Sequence, residues 1–202
     1  MLKKILPLFS YLFHPIFIPV FAALLYFKLN EHFFVIEEVY LVFIQISILT
    51  VFIPICFFYL LRTLGKVDSV MLSEVSQRRV PLAIQIMLIG ILIFKSITLE
   101  LIPELHYFFL GGLASTLSAL LLAFLRIKAS LHMMGIAALT VFTIGLSLHN
   151  QVNALYLIAL LILTCGLVAA SRLEMLAHSE KELVIGTLCG LLPQTMLLYL
   201  WL

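Results

Sequence analysis

The chain reads as an all-α protein, a polytopic transmembrane helical bundle with about six to seven membrane segments in one integral membrane domain over residues 1–202. Three observations predict this. First, 64% of the residues are hydrophobic and only 11% are charged, whereas a soluble domain carries about 25% charged residues; mean hydropathy is +1.22. Second, apolar runs near the length a helix needs to cross hydrocarbon, about 20 residues, recur from one end to the other. Third, the charges are gathered into the breaks between those runs.

The runs lie near 5–27, 33–61, 80–97, 105–126, 131–149, 153–171 and 183–202. The first contains Pro7, Pro15 and Pro19, which remove backbone donors and clash with the preceding turn, so it is expected to kink or to stop short of a full crossing. Met1, Leu2, Lys3 and Lys4 ahead of it outline a signal peptide, but no small-residue cleavage site follows, and the segment is expected to be retained. The second run is long enough to tilt. Pro81 stands at the start of the third, where a missing N–H costs least. Cys56, Cys165 and Cys189 sit inside apolar runs without metal-ligand spacing. A net charge of +2 gives no argument for nucleic acid.

The breaks alternate in character. Residues 62–79 contain Arg62, Lys66, Asp68, Glu74, Arg78 and Arg79; residues 126–132 contain Arg126, Lys128, Ser130 and His132; residues 171–182 contain Arg172, Glu174, His178, Lys181 and Glu182. The remaining breaks are shorter and hold Glu31, Glu37, Glu38, Glu100 and Glu104. Two apolar runs separate each polar cluster from the next. Two crossings return a chain to the same side, so all three clusters are expected on one membrane face.

Ser171 and Glu174 have capping-box spacing, which predicts a helix starting at Ser171 and continuing through the last apolar run. On such a helix His178 and Glu182 share a face, and a carboxylate beside an imidazole fixes its tautomer. Arg172 would lie in the first turn, where free N–H groups already favour an anion. Lys128, Ser130, His132 and the pair Arg78–Arg79 complete a set of cations, a hydroxyl and two histidines. Such a set suits a phosphate group, with cations neutralising its oxygens, one histidine attacking phosphorus and the other protonating the leaving oxygen.

These residues carry a resemblance. Ser171-Arg172, five residues, His178, three residues, Glu182 resembles the third motif of the type 2 phosphatidic acid phosphatase family, Ser-Arg-x5-His-x3-Asp, within the vanadium haloperoxidase-like superfamily. Ser130-Leu131-His132 resembles the end of the second motif, Pro-Ser-Gly-His. Arg79-Val80-Pro81, or Arg78 in its place, resembles the end of the first, Lys-x6-Arg-Pro. The motif stretches are 66–81, 128–132 and 171–182, in the family's order. Glu182 stands where the family has Asp, Ala129 and Leu131 stand where it has Pro and Gly, and no Lys occurs seven residues before either arginine; Lys128 could supply that charge. The resemblance implies a helical membrane phosphatase without a metal ion or other cofactor. It implies that His178 is the nucleophile that forms a phosphohistidine, that Glu182 orients it, and that His132 is the general acid. It further implies that Arg172, Arg79 or Arg78, Ser130, Ser171 and Lys128 hold the phosphoryl oxygens. The expected partner is a phosphorylated membrane lipid, and the expected setting is a bacterial inner (cytoplasmic) membrane.

Plainer readings stand beside these. Lys3, Lys4, Arg62, Arg126 and Lys181 can simply mark a membrane face. His14 has no charged neighbour in sequence and is expected to pack. His106 and His149 fall in breaks of the opposite face and read as interfacial, and Gly186 with Gly190 reads as a small-xxx-small contact between helices. Competing functions are a non-catalytic binder or scaffold for anionic lipids and a haem protein ligated by His132 and His178. An intramembrane protease built on Glu37-Glu38 lacks the arginine that such a motif needs. Of the 12 basic residues, all but Lys28 and Lys95 fall on the motif side. The positive-inside rule places that side in the cytoplasm, whereas the resembled family more often faces outward, and the face is left open.

Overall fold

The structure is a computed structural model that describes residues 2–30, 34–68 and 74–202; Glu31 and residues 69–73 of the first motif stretch lie outside it. Among the described residues all regular structure is helical. Five helices are long and apolar enough to cross a membrane, and a bent pair at the N-terminus makes a sixth when taken as one span. The chain is an integral membrane protein built as a helical bundle. An α-helix satisfies its backbone groups within its own segment, as hydrocarbon requires.

The bent pair is α1 (Leu2–Leu12) and α2 (Ile18–Leu29), joined through a 3-10 turn at Pro15–Phe17. The two arms meet at 40°. The cause is local. Pro15 forces His14 out of the helical region (φ −61°, ψ 137°), and the His14 ring accepts the freed amide of Ile16 at 3.3 Å. The expected kink of the first run is this break.

A π turn at Ile48–Phe52 joins α3 (Ile36–Ser47) to α4 (Ile53–Thr63) in one 28-residue helix. Pro54 lies in the first turn of α4 and cannot donate to the carbonyl four residues back, which accounts for the widened turn. No residue of α4 is fully buried. A 3-10 turn at Ser76–Arg78 leads into α5 (Arg79–Lys95). Then follow α6 (Pro103–Phe124), α7 (Leu131–His149), α8 (Leu155–Glu174) and α9 (Glu180–Leu198).

Helix α7 is the axis of the bundle, with 67% of its span buried. Helix α9 packs along it, and the facing residues run in step: Gly186 beside Ser130, Gly190 beside Met134, and Leu198 beside Gly145. The two helices are therefore parallel. A Cβ at Gly186 or Gly190 would collide with the carbonyls of Ser130 and Met134. Glycine is needed there because backbones, not side chains, make the contact, and close backbone approach replaces the hydrophobic effect as the source of helix association in lipid. The charged first turn of α9, with Glu180, Lys181 and Glu182, and its internal Gln194 leave the last run outside the five apolar spans. It nevertheless accompanies α7 over nearly its whole length. Gln194 is buried and donates to the carbonyl of Phe108 at 2.8 Å, stitching α9 to α6.

Candidate functional site

Two turns form the floor of the site, and they are built alike. Helix α6 ends at Phe124, Arg126 adopts the left-handed region (φ 60°), and the amide of Ile127 returns to the carbonyl of Leu122 at 2.8 Å. Helix α8 ends at Glu174, Leu176 adopts the left-handed region (φ 52°), and the amide of Ala177 returns to the carbonyl of Arg172 at 3.1 Å. Each is a Schellman-type stop made without glycine, at a cost of roughly 1–3 kcal/mol per residue. A few residues on, a serine caps the next helix: Ser130 for α7 and Ser179 for α9.

This arrangement corrects the expected helix start. The capping box is Ser179–Glu182, not Ser171–Glu174. Both pairs match the pattern, but the apolar run of α8 continues through Ser171 and Arg172 before the stop at Leu176. Arg172 therefore sits in the last turn of α8 rather than the first turn of α9. Ser171 is fully buried, and its hydroxyl shares a 2.6 Å hydrogen bond with that of Ser10 on α1. It ties α1 to α8 and is engaged in that contact rather than opening toward a ligand.

The two turns are sewn together. Lys128 Nζ donates to the carbonyl of Ala177 at 2.9 Å and lies 4.0 Å from Glu182 Oε2. The amide of Ser130 donates to the carbonyl of Glu182 at 3.0 Å. The third polar stretch joins through Arg78, whose Nη1 donates to the carbonyl of Ala129 at 2.8 Å. The N-termini of α5, α7 and α9 thus open onto one place, and their amide dipoles add positive potential there.

His178 and Glu182 form a close side-chain pair, with Nδ1 to Oε2 at 2.7 Å. A carboxylate only accepts, so Nδ1 carries the proton and Nε2 keeps its lone pair. The same Oε2 accepts the amide of Ser179 at 3.3 Å, completing the capping box. One carboxylate oxygen therefore starts the helix and fixes the histidine tautomer. Burial lowers the His178 pKa below its ordinary value, the bond to Glu182 opposes this, and the positive charges of Arg78, Arg172 and Lys128 add to the lowering. A neutral imidazole with an available Nε2, in a field of three cations, can act as a nucleophile or base toward an anion.

The remaining candidates divide. Arg78 and Arg172 are nearly fully buried, with 5% and 2% of their surface exposed. Ser130 is fully buried, with its hydroxyl on the amide of Met133. His132 lies within electrostatic reach of Arg172 and His178; its Nε2 bonds the carbonyl of Ser10 at 3.1 Å. Arg79 is not brought in. Its guanidinium turns to the carbonyl of Ala123 at 3.3 Å and stacks over Phe124 with a 4.9 Å centroid distance. Of the adjacent arginines, Arg78 is therefore the one in the cluster. Lys66 is exposed.

Sequence reasoning missed His14 and Ser10. The His14 ring meets that of His132 edge-on at 5.1 Å and lies within reach of Arg172. The signal was the His-Pro pair at a helix break, but the partners that give it meaning lie more than a hundred residues away. A cavity of about 450 Å³ begins beside it, lined at this end by Tyr11, His14 and Leu131 and further in by Phe108 and Ala138.

Fold and site together define a helical membrane protein with a buried, cation-rich histidine cluster at one end of the bundle. The chain matches no family model, no curated protein and no solved structure.

Proposed function

We propose that this protein is a membrane-embedded lipid phosphatase that hydrolyses a phosphate monoester or diphosphate on a lipid head group through a phosphohistidine at His178. The observation that carries this reading is the His178–Glu182 pair, at 2.7 Å, set among Arg78, Lys128 and Arg172. Glu182 holds the Nδ1 proton, and Nε2 of His178 attacks phosphorus. Arg78, Arg172 and Lys128, with the amides at the helix N-termini, neutralise the charge that builds on the phosphoryl oxygens. The resemblance of the three motif stretches to the type 2 phosphatidic acid phosphatases points the same way. The likeness rests on the third motif above all. An all-helical bundle suits the bacterial inner membrane, which we take as its setting, since spanning proteins of the outer membrane are β-barrels.

A second reading, a phosphate-lipid binder without turnover, is favoured by one feature: Nε2 of His132 is taken up by the Ser10 carbonyl. The experiment that separates the two is phosphate release by purified protein from a panel comprising polyprenyl diphosphate, phosphatidate, phosphatidylglycerol phosphate and lipid A. The phosphatase reading expects release from at least one of them, lost in His178→Ala. Binding without release in wild type selects the binder, and equal release by wild type and His178→Ala contradicts the assignment.

A further inference from the structure

The cavity of about 450 Å³ follows the first two turns of α7, and among the described residues no Asp, Glu, Lys or Arg lines it. Its volume falls among those of small-molecule sites, roughly 300–1,000 Å³. The break of the first span and the π turn of the second both adjoin it, since Pro15 and Pro54, which cause them, lie on its wall. Irregular backbone within a span is tolerated where it borders a cavity. Helix α4 forms the outer side. Its Phe57 and Tyr59 line the cavity and are still 40% and 57% exposed, so this side of the cavity borders the lipid.

One wall residue does not suit an empty apolar void. Gln85 lines the cavity from the middle of the span Ser76–Lys95, about 9 Å along α5 from Arg79. It is partly buried, and among the described residues no hydrogen bond engages its carboxamide. The hydroxyls that α6 contributes to the wall are occupied: Ser115 donates to the carbonyl of Gly111 at 2.9 Å, and Thr116 to that of Gly112 at 2.7 Å. An amide without a partner in hydrocarbon is costly. A molecule that fills the void and accepts the Gln85 amide protons recovers that cost. The space is open to it: Gly112 lines the same wall, and nothing lies within 4 Å of where a Cβ would stand.

We propose that this cavity is a binding site for a neutral long-chain lipid, a hydrocarbon chain bearing a hydroxyl or carbonyl oxygen that accepts a hydrogen bond from Gln85. The apolar wall matches the chain, and the carboxamide matches one polar oxygen along it. The uncharged wall sets the class. It offers no cation to replace the water that a phosphate or carboxylate would lose on entry, so a charged head group is excluded from it. The exposed α4 side gives a route from the bilayer. None of Arg78, Lys128, Arg172 and His178 lines the cavity, so this site is separate from the histidine cluster and does not rest on the phosphatase reading.

The test is photolabelling of purified full-length protein in detergent micelles. The probes are hexadecanol, hexadecane and palmitate, each carrying a diazirine on the chain, and labelled residues are mapped by mass spectrometry. Hexadecanol is expected to label the cavity walls from α4, α5 and α6, to be displaced by unlabelled hexadecanol, and to bind more tightly than the other two. Gly112→Leu fills the open space and is expected to lower this labelling about tenfold or more. Gln85→Leu is expected to weaken hexadecanol about fivefold, as for loss of one hydrogen bond, and to leave hexadecane within about twofold. It keeps the side-chain volume and removes only the amide, so it carries the test if Gly112→Leu does not fold. Absence of label on these walls, or label that a folded Gly112→Leu leaves unchanged, overturns the site. Palmitate binding as tightly as hexadecanol overturns the neutral class. Equal losses for the alcohol and the alkane in Gln85→Leu overturn the role of Gln85, as does release of a cross-linkable dimer by that variant, which would set the amide against a second copy of the chain. No readout involves phosphate release, so failure here leaves the phosphatase reading standing.

Discussion

The two ends of the bundle treat their polar groups differently. At the far end side chains satisfy one another. Tyr26 donates to Glu104 at 2.9 Å, His149 Nε2 lies 3.2 Å from the other oxygen of Glu104, and Asn150 donates to Asn30 at 3.1 Å. These contacts tie the ends of α2, α6 and α7. At the near end several cations reach backbone carbonyls, Arg78 to Ala129, Arg79 to Ala123 and Lys128 to Ala177, and Lys128 also lies 4.0 Å from Glu182 Oε2. A carbonyl orients a cation without cancelling its charge. The far end is a closed clasp, and the near end keeps a positive field around a neutral histidine. Buried polar groups closed on each other hold a fold together, while cations gathered around a neutral histidine indicate a ligand.

The sharpest way to break this comparison is at His178. Replacing it with Ala is expected to lower phosphate release by on the order of 10⁴-fold or more, with helical circular dichroism unchanged. The lowered pKa of His178 also sets a sign. The nucleophile stays neutral as pH falls through its ordinary value near 6.5, so kcat/KM is expected to hold there and to drop only in more acid solution. A profile that falls at 6.5 would argue against His178 in this role.

The adjacent arginines come next. Arg78→Ala is expected to cost about 10²-fold in kcat/KM, as for loss of one donor to a developing anion, and Arg79→Ala only a few-fold, because Arg79 packs on Phe124. Equal losses would place both in the site.

At the far end the effect should appear in stability alone. Tyr26→Phe removes the donor to Glu104 and is expected to lower unfolding free energy by about 1–3 kcal/mol, read by denaturant titration in micelles, with kcat unchanged. Smallest is Leu176→Gly. Leu176 is 93% exposed in the left-handed region, so glycine is expected to raise stability by about 1 kcal/mol; a loss of stability would mean that the turn is not strained.

Much of this was legible beforehand, and the failures are physical. Apolar runs and clustered charges announce the helices because hydrocarbon excludes charge. The pairing of His178 with Glu182 was readable because it is local. The helix start was not: Ser171 and Ser179 each precede a glutamate by three, and only the inertia of the α8 apolar run chooses between them. Arg78 and Arg79 differ by one position at a 3-10 to α junction, which turns one guanidinium inward and the other onto Phe124. In sequence His14 reads as packing because its neighbours there carry no charge. His132 and Arg172 reach it only through the fold.

The most direct measurement is to trap the covalent species. Wild-type protein is mixed with a lipid carrying ³²P-phosphate, quenched under conditions that preserve phosphohistidine, digested and mapped. The account predicts label on His178, absent from His178→Ala; phosphate released without label on any histidine, or label on His132 or His14 in place of His178, would contradict it.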